Sequence, residues 1–456
     1  MTDPLDLPLE TLIPMLQKGE CAADDVIAAA SARHETFGDQ LQAYLRWDPA
    51  PAVAGGGVLA GIPVSAKDLF GLEGFETFAG SPSPLPANWC VEGPVVAALK
   101  SAGATIMGKT HMVEFAFGGI GTNPHWPTPA NPWDVKTPRV PGGSSSGAGV
   151  SIWEGSALVA LGSDTAGSVR VPASFTGTVG LKTTKGCWST DGLVPLSTSL
   201  DTPGLLTRSA ADMAVAFSVI DPDKGEPFER FLATLRERDL SDIKLGLCRW
   251  FFEDCDPGIA ETIEASVAKL EKAGASVAEI TLPSVVEAGE IFGRGGLAAP
   301  EFAALINDQF ADWKPTLDPN VLARFERMEA IPAIDYISRR NRLAELAAEA
   351  DQALESIDAL IGPTVPITPP TVEAVSVPEE YFRCNMATLR NTSIVNLLDQ
   401  CAVSLPVGLD KAGMPVGLHL IGRNGADREI ISVALAAEKI LGTAREILGT
   451  PPLIAA

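Results

Sequence analysis

The sequence predicts an α/β fold built as one large unit. Three observations carry this. Short apolar runs alternate with helical periodicities along the chain. The phrases LKSAGATI (99–106) and LEKAGASV (270–277) both read as helix, glycine, strand, the step from which such sheets are assembled. No loop is long enough to separate independent domains, so residues 1–456 are expected to form a single domain.

The elements follow in order. Residues 8–46 carry helical spacing, as in ADDVIAAASARHETF, and end at a Gly/Pro-rich break, PAPAVAGGGVLAGIP. From about 58 to 215 charges are few, and Gly, Ser and Thr separate short apolar runs. That composition suits buried strands joined by tight functional loops. Within it, VVAALKSAGA reads as a helix stopped by Gly103, and Ala104–Met107 as a short buried strand. SSGAGVSIWE is a helix of about ten residues, rising about 15 Å. ALVAL is a strand of about five residues, covering about 17 Å. A helix out and a strand back nearly cancel, so the loops at Ser144 and Ser168 are expected side by side at one end of the sheet. From about 220 to 355 charges rise and long helices dominate, as in GIAETIEASVAKLEKAG and NRLAELAAEADQALESI. From 357 to 456 strands return (DALIGP, CAVSLPVGL, PVGLHLIG), closed by the helix DREIISVALAAEKIL.

Bulk properties narrow the function. Hydrophobic residues make up 46% and charged residues 20%, enough for a substantial core. The net charge of -23 weighs against nucleic acid or an anionic membrane as a partner. No apolar run reaches the roughly 18 residues of a membrane span. The acidic start MTDPLDLPLE lacks the basic-then-apolar order of a signal peptide. The 7 cysteines are scattered, without a C-x-x-C pair, which points to reduced thiols in a cytoplasmic protein. No cluster has metal-ligand spacing, and neither a metal nor another cofactor is expected.

Two motifs mislead. GATIMGKTH, from Gly103, matches the phosphate-binding pattern G-x-x-x-x-G-K-T, but its order is helix, glycine, strand, lysine, the reverse of a P-loop. GSSSG (Gly143 to Gly147) matches a nucleophile elbow centred on Ser145. The preceding residues are not a clean strand, and of four histidines only His419 follows, inside an apolar strand that suits a packed residue. A serine hydroxyl still needs a base. GIPVSAKDLFG puts Lys67 at the end of an apolar run with little other charge. Burial can lower a lysine pKa of about 10.4 by several units, so a desolvated Lys67 becomes a base at neutral pH. Asp164 and Arg170, flanking the second serine loop with opposite charge, are expected to brace it as an ion pair. Cys187 has no cationic or histidine neighbour in sequence and reads as a core or wall residue.

The chain resembles the amidase signature family. The residues that carry this are GIPVSAKD, GKTHMVEFAFG, NPW, PGGSSSG, GSDTAGSVRVPASFTGTVGLK and GMPVGLHLIG, dense over about 60–215 and sparser over 357–425. The resemblance implies a single large α/β/α domain with a mixed central β-sheet flanked by helices. It implies a catalytic set of Lys67, Ser144 and Ser168, with Ser144 held by a cis peptide at Gly143–Ser144. Ser168 would attack a carbonyl, and Ser144 would relay its proton to Lys67. Backbone N–H groups of Thr165, Ala166, Gly167 and Ser168 would form the oxyanion hole, with Ala166 standing where the family often has glycine. Ser145 would orient Lys67 or cap the following helix, and Ala116, Phe117, Gly118 and Gly119 would line the acyl pocket. The implied activity is hydrolysis of C–N bonds in small-molecule amides, by a chain acting alone or as a homodimer. NLLDQCAVSLPVGL, SDTAGSVRVPA and VPLSTSLD lean towards the allophanate-hydrolase-like branch, hence towards carbamates and ureas. The alternative is the glutaminase component of a tRNA-dependent amidotransferase, its A chain, working with partner subunits.

Overall fold

The apolar runs become strands of one sheet. A computed structural model describes residues 3–53, 56–221 and 227–455. The strands are β1 (Tyr44–Trp47), β2 (Pro63–Lys67), β3 (Thr105–Thr110), β4 (Val159–Asp164), β5 (Val179–Lys182), β6 (Thr202–Thr207), β7 (Lys244–Leu247), β8 (Ser276–Glu279), β9 (Ala359–Pro363), β10 (Cys401–Leu409) and β11 (Pro415–Gly422). They form an 11-stranded sheet in the order β1-β3-β2-β4-β6-β5-β10-β11-β9-β7-β8. The sheet is mixed. β2 runs parallel to β3 and β4, and β7 parallel to β8 and β9. The pairs β4–β6, β5–β6, β5–β10 and β10–β11 are antiparallel.

Helices cover both faces, as the unbroken burial of β2 and β4 requires. Along β10 the side chains alternate between two layers. Cys401, Val403 and Leu405 share a core with Ile430 and Ile431 of the helix Asp427–Leu441, whereas Ala402 packs with Ile394 and Leu397 of the helix Pro378–Leu397.

The C-terminal elements β10, β11 and Asp427–Leu441 have the bounds their periodicity gives. The N-terminal helical region is instead two helices, Leu9–Gln17 and Ala23–Leu41, followed by the edge strand β1, which helical spacing alone did not separate. The helix after Ser144 begins at Ala148 rather than at Ser145. Gly147 there lies against β1's approach, where an added Cβ would stand 2.0 Å from the Ala43 carbonyl.

GATIMGKTH lies within or beside β3, so its lysine is a strand residue. Lys109 is fully buried, paired with Asp68 at 3.1 Å and donating to Thr77 Oγ1 at 2.9 Å. Lys109→Ala leaves the Asp68 carboxylate buried without its cation and is expected to cost about 3–5 kcal/mol, read by chemical denaturation. A nucleotide-binding lysine would instead leave folding stability nearly unchanged.

Candidate active site

The parallel pairing of β2 with β4, Ala66 opposite Leu161, brings their carboxyl ends together. There β4 runs into the Ser168 loop, and Ser144 meets the end of β2 at Lys67, the usual place for a site in such a sheet. Lys67, the last residue of β2, is fully buried. Its Nζ donates to Ser144 Oγ at 2.7 Å and to Ser163 Oγ at 2.9 Å. Burial pushes its pKa down to about 7, against the opposing pull of Asp164 and Asp201. Ser144 follows a cis peptide, Gly143–Ser144, and its carbonyl accepts from the Val113 N–H at 3.0 Å.

The two loops do meet. The Ser145 N–H donates to the Ser168 carbonyl at 3.2 Å. Ser145 does not take the place expected of it, because its hydroxyl donates to the Ser163 carbonyl at 3.4 Å and the helix cap is Gly147. The hydroxyl that joins Ser144 at the lysine is Ser163, in β4, which sequence reasoning missed. Only the strand register, which puts β4 beside Lys67, could have revealed it. An acceptor favours the charged form of an amine. Ser163→Ala is therefore expected to lower the Lys67 pKa and move the acid limb of the pH–rate profile to lower pH, with unchanged folding stability. An unmoved limb would make Ser163 mere packing.

Asp164 organises the second loop. Its carboxylate accepts from the N–H groups of Gly167 (2.8 Å), Val169 (3.1 Å) and Arg170 (3.4 Å). It also takes Arg170 Nη2 at 2.8 Å and Asn396 Nδ2 at 2.9 Å. Burial opposes its charge, yet Arg170, Lys182 and Asn396 hold its pKa well below the ordinary carboxylate range. Arg170 further donates to the Thr392 carbonyl at 3.0 Å and bonds His419 Nε2 at 3.1 Å. Burial and Arg170 keep His419 neutral, so Nε2 is the acceptor and this histidine is a packed partner of the brace.

This geometry revises the expected oxyanion hole. The Gly167 N–H is already engaged by Asp164. Gly167 is instead a close-approach residue, with φ +132 and room so limited that a Cβ would stand 2.1 Å from Thr392 Oγ1. Among the described residues no protein acceptor takes the N–H of Thr165, Ala166 or Ser168. Thr165 turns its hydroxyl to Asp201 Oδ1 at 2.5 Å, and burial pushes that carboxyl up to about 6.

Ser168, Thr165 and Ala166 face a largely apolar cavity. Ala116, Phe117 and Gly118 also line it. Gly119 does not. It sits one step back, donating to Asn385 Oδ1 at 2.8 Å and accepting from the Gly143 N–H at 2.8 Å. The bend that presents this segment places two non-glycine residues, Phe115 (φ 46) and Ala116 (φ 59), in the left-handed region, at a cost on the order of 1–3 kcal/mol each. The opposite wall, from Phe292 to Ala299 and the helices Pro319–Glu329 and Pro378–Leu397, comes from segments the sequence left undiagnosed. Cys187 is not in the cavity wall.

The amidase family model matches residues 22–431. The chain belongs to the amidase family. This amidase is 45% identical over 453 residues to the 2-amino-5-chloromuconic acid deaminase of Comamonas testosteroni, covering 96% of this chain and 97% of that protein. It is 35% identical over 420 residues to the A component of the glutamyl-tRNA(Gln) amidotransferase of Symbiobacterium thermophilum, covering 84% and 83%. The crystal structure of the same component from Thermotoga maritima matches with a TM-score of 0.82 at 27% identity, over 99% of this chain and 98% of that one. The amidase is thus a family hydrolase of C–N bonds on a single α/β fold. Among the described residues no helix is long and apolar enough to cross a membrane.

Proposed function

We propose that this amidase cleaves small-molecule C–N bonds through an acyl-enzyme on Ser168, with Ser144 as proton relay and Lys67 as base. The observation that carries the reading is the fully buried Lys67 Nζ, 2.7 Å from Ser144 Oγ, with its pKa near neutrality. Ser168 Oγ bonds to the carbonyl carbon as its proton passes to Ser144 and the Ser144 proton passes to Lys67. The oxyanion forms under the N–H groups of Thr165, Ala166 and Ser168, and one such donor is typically worth about 2.7–4 kcal/mol. Collapse breaks the C–N bond while the relay runs backwards and protonates the departing nitrogen, which cannot leave as an anion. Water then attacks the ester, deprotonated by the same relay, and releases the acid.

Amides are the primary substrates, and carbamates and ureas present the same carbonyl–nitrogen bond. The similarity to a protein named as a deaminase of an acid favours ammonia as the leaving group. We picture a cytoplasmic enzyme acting alone or as a homodimer. A second reading, the glutaminase component of an amidotransferase, is favoured by the 35% identical relative. The test is twofold. A neutral fluorophosphonate should label Ser168, located by peptide mass spectrometry, and the isolated chain should release ammonia from a panel of amides, ureas and carbamates. Release from glutamine alone, and only after partner subunits are added, would select the second reading. Failure to label Ser168 would reject both.

A further inference from the structure

The cavity over Ser168 has a charge pattern opposite to that of the molecule. The chain carries 34 basic against 57 acidic residues, yet the charged side chains lining the cavity are Arg294, Arg324 and Arg327, with no Asp or Glu among them. Among the described residues none of the three guanidinium groups has a carboxylate at ion-pair distance.

Arg324 is the most enclosed. It is half-buried and held by neutral contacts. Its Nη1 donates to the Phe117 carbonyl at 2.7 Å, and its guanidinium lies 3.7 Å from the centre of the Phe117 ring. A guanidinium has five N–H donors in a planar fork, so Arg324 keeps donors for a ligand. The carboxylate coupled to it is that of Asp318, which lies beyond ion-pair distance and accepts the Asn320 N–H at 2.8 Å. Tyr381, close enough to Arg324 to feel its charge, has a buried hydroxyl with no hydrogen-bond partner. That hydroxyl stands 2.7 Å from the point a Cβ on Gly118 would occupy, just behind the cavity wall. Arg327 lies one turn further along the helix Pro319–Glu329, and Arg294 follows the helix Pro283–Gly293; both are exposed.

Unpaired guanidinium groups in apolar surroundings favour an anion and penalise a cation. Resting on the hydrolase reading above, we propose that the substrate carries a carboxylate, bound by Arg324 in the field of Arg327 and Arg294, and has no free ammonium group. An ammonium would meet three positive charges and no carboxylate in the wall. Free α-amino acids, glutamine included, are therefore poor ligands.

Calorimetry on the Ser168→Ala protein separates binding from turnover. Malonate, succinate, glutarate and adipate are compared with their neutral diamides and with glutamine. The best dicarboxylate is expected to bind at least ~10-fold more tightly than its diamide, the size of one charged hydrogen bond. The difference should shrink as salt is added. Arg324→Gln in the same background should erase it. If that variant does not fold, Arg327→Gln and Arg294→Gln, both at exposed positions, should each reduce the preference. Equal affinity of acids and diamides, no detectable binding of any dicarboxylate, tighter binding of glutamine, or a preference untouched by the folded arginine variants would overturn the proposal. The two readings fail separately. An unlabelled Ser168 in the wild type rejects the hydrolase, whereas labelling that dicarboxylates block no better than diamides rejects the anion site.

Discussion

Ser168→Ala is expected to abolish turnover of every amide, carbamate and ester, with kcat falling on the order of 10⁶-fold, the loss seen when an acylated serine is removed. Ser168 is the hydroxyl at the junction of the cavity, the braced loop and the Ser144 loop. Substitution removes one oxygen and leaves the main-chain contact to Ser145 in place, so thermal stability should stay near that of the parent. Steady-state rates, backed by intact-mass detection of the acyl-enzyme, check this. A loss below about 100-fold with the fold intact would mean that another nucleophile does the chemistry.

Lys67→Ala should lower amide hydrolysis by about 10³–10⁴-fold, towards the upper range for a general base that also returns the proton. Ester hydrolysis should fall less, because an alkoxide leaves more readily than an amine anion. The pH dependence has a definite sign. Only the neutral amine can accept a proton, and burial lowers the Lys67 pKa to about 7. kcat/KM for an amide should therefore rise tenfold per pH unit below about 7 and level off above it. In Lys67→Ala that limb should vanish. Equal losses on amide and ester, or a limb that survives the substitution, would remove Lys67 from the relay.

How far the sequence could reach depended on which interactions were local. The regular C-terminal strands and helix were legible because their periodicity is unbroken from Cys401 to Leu441. The juxtaposition of the Ser144 and Ser168 loops followed from helix and strand lengths alone, and the meeting of Ser145 with Ser168 agrees with it. Ser163 was hidden because its partner is fixed by the pairing of β2 with β4, across 96 residues of sequence. The engagement of Gly167 by Asp164 is local, but a glycine N–H carries no sign of whether it is free. Gly119 failed as a pocket residue because its turn is set by Asn385, far away in the chain. Arg324 and Arg327 sit on an ordinary amphipathic helix and Arg294 just past the end of another, where nothing distinguishes a solvated guanidinium from one facing a ligand.

The Asp164 carboxylate gathers the loop carrying Ser168, while Asn396, Thr392 and His419 complete its bonds to Arg170 from the last part of the chain. The loop that carries Ser168 is thus shaped by residues translated long after it. A chain still emerging from the ribosome lacks these partners of its Asp164–Arg170 brace until residues 392–419 have been made.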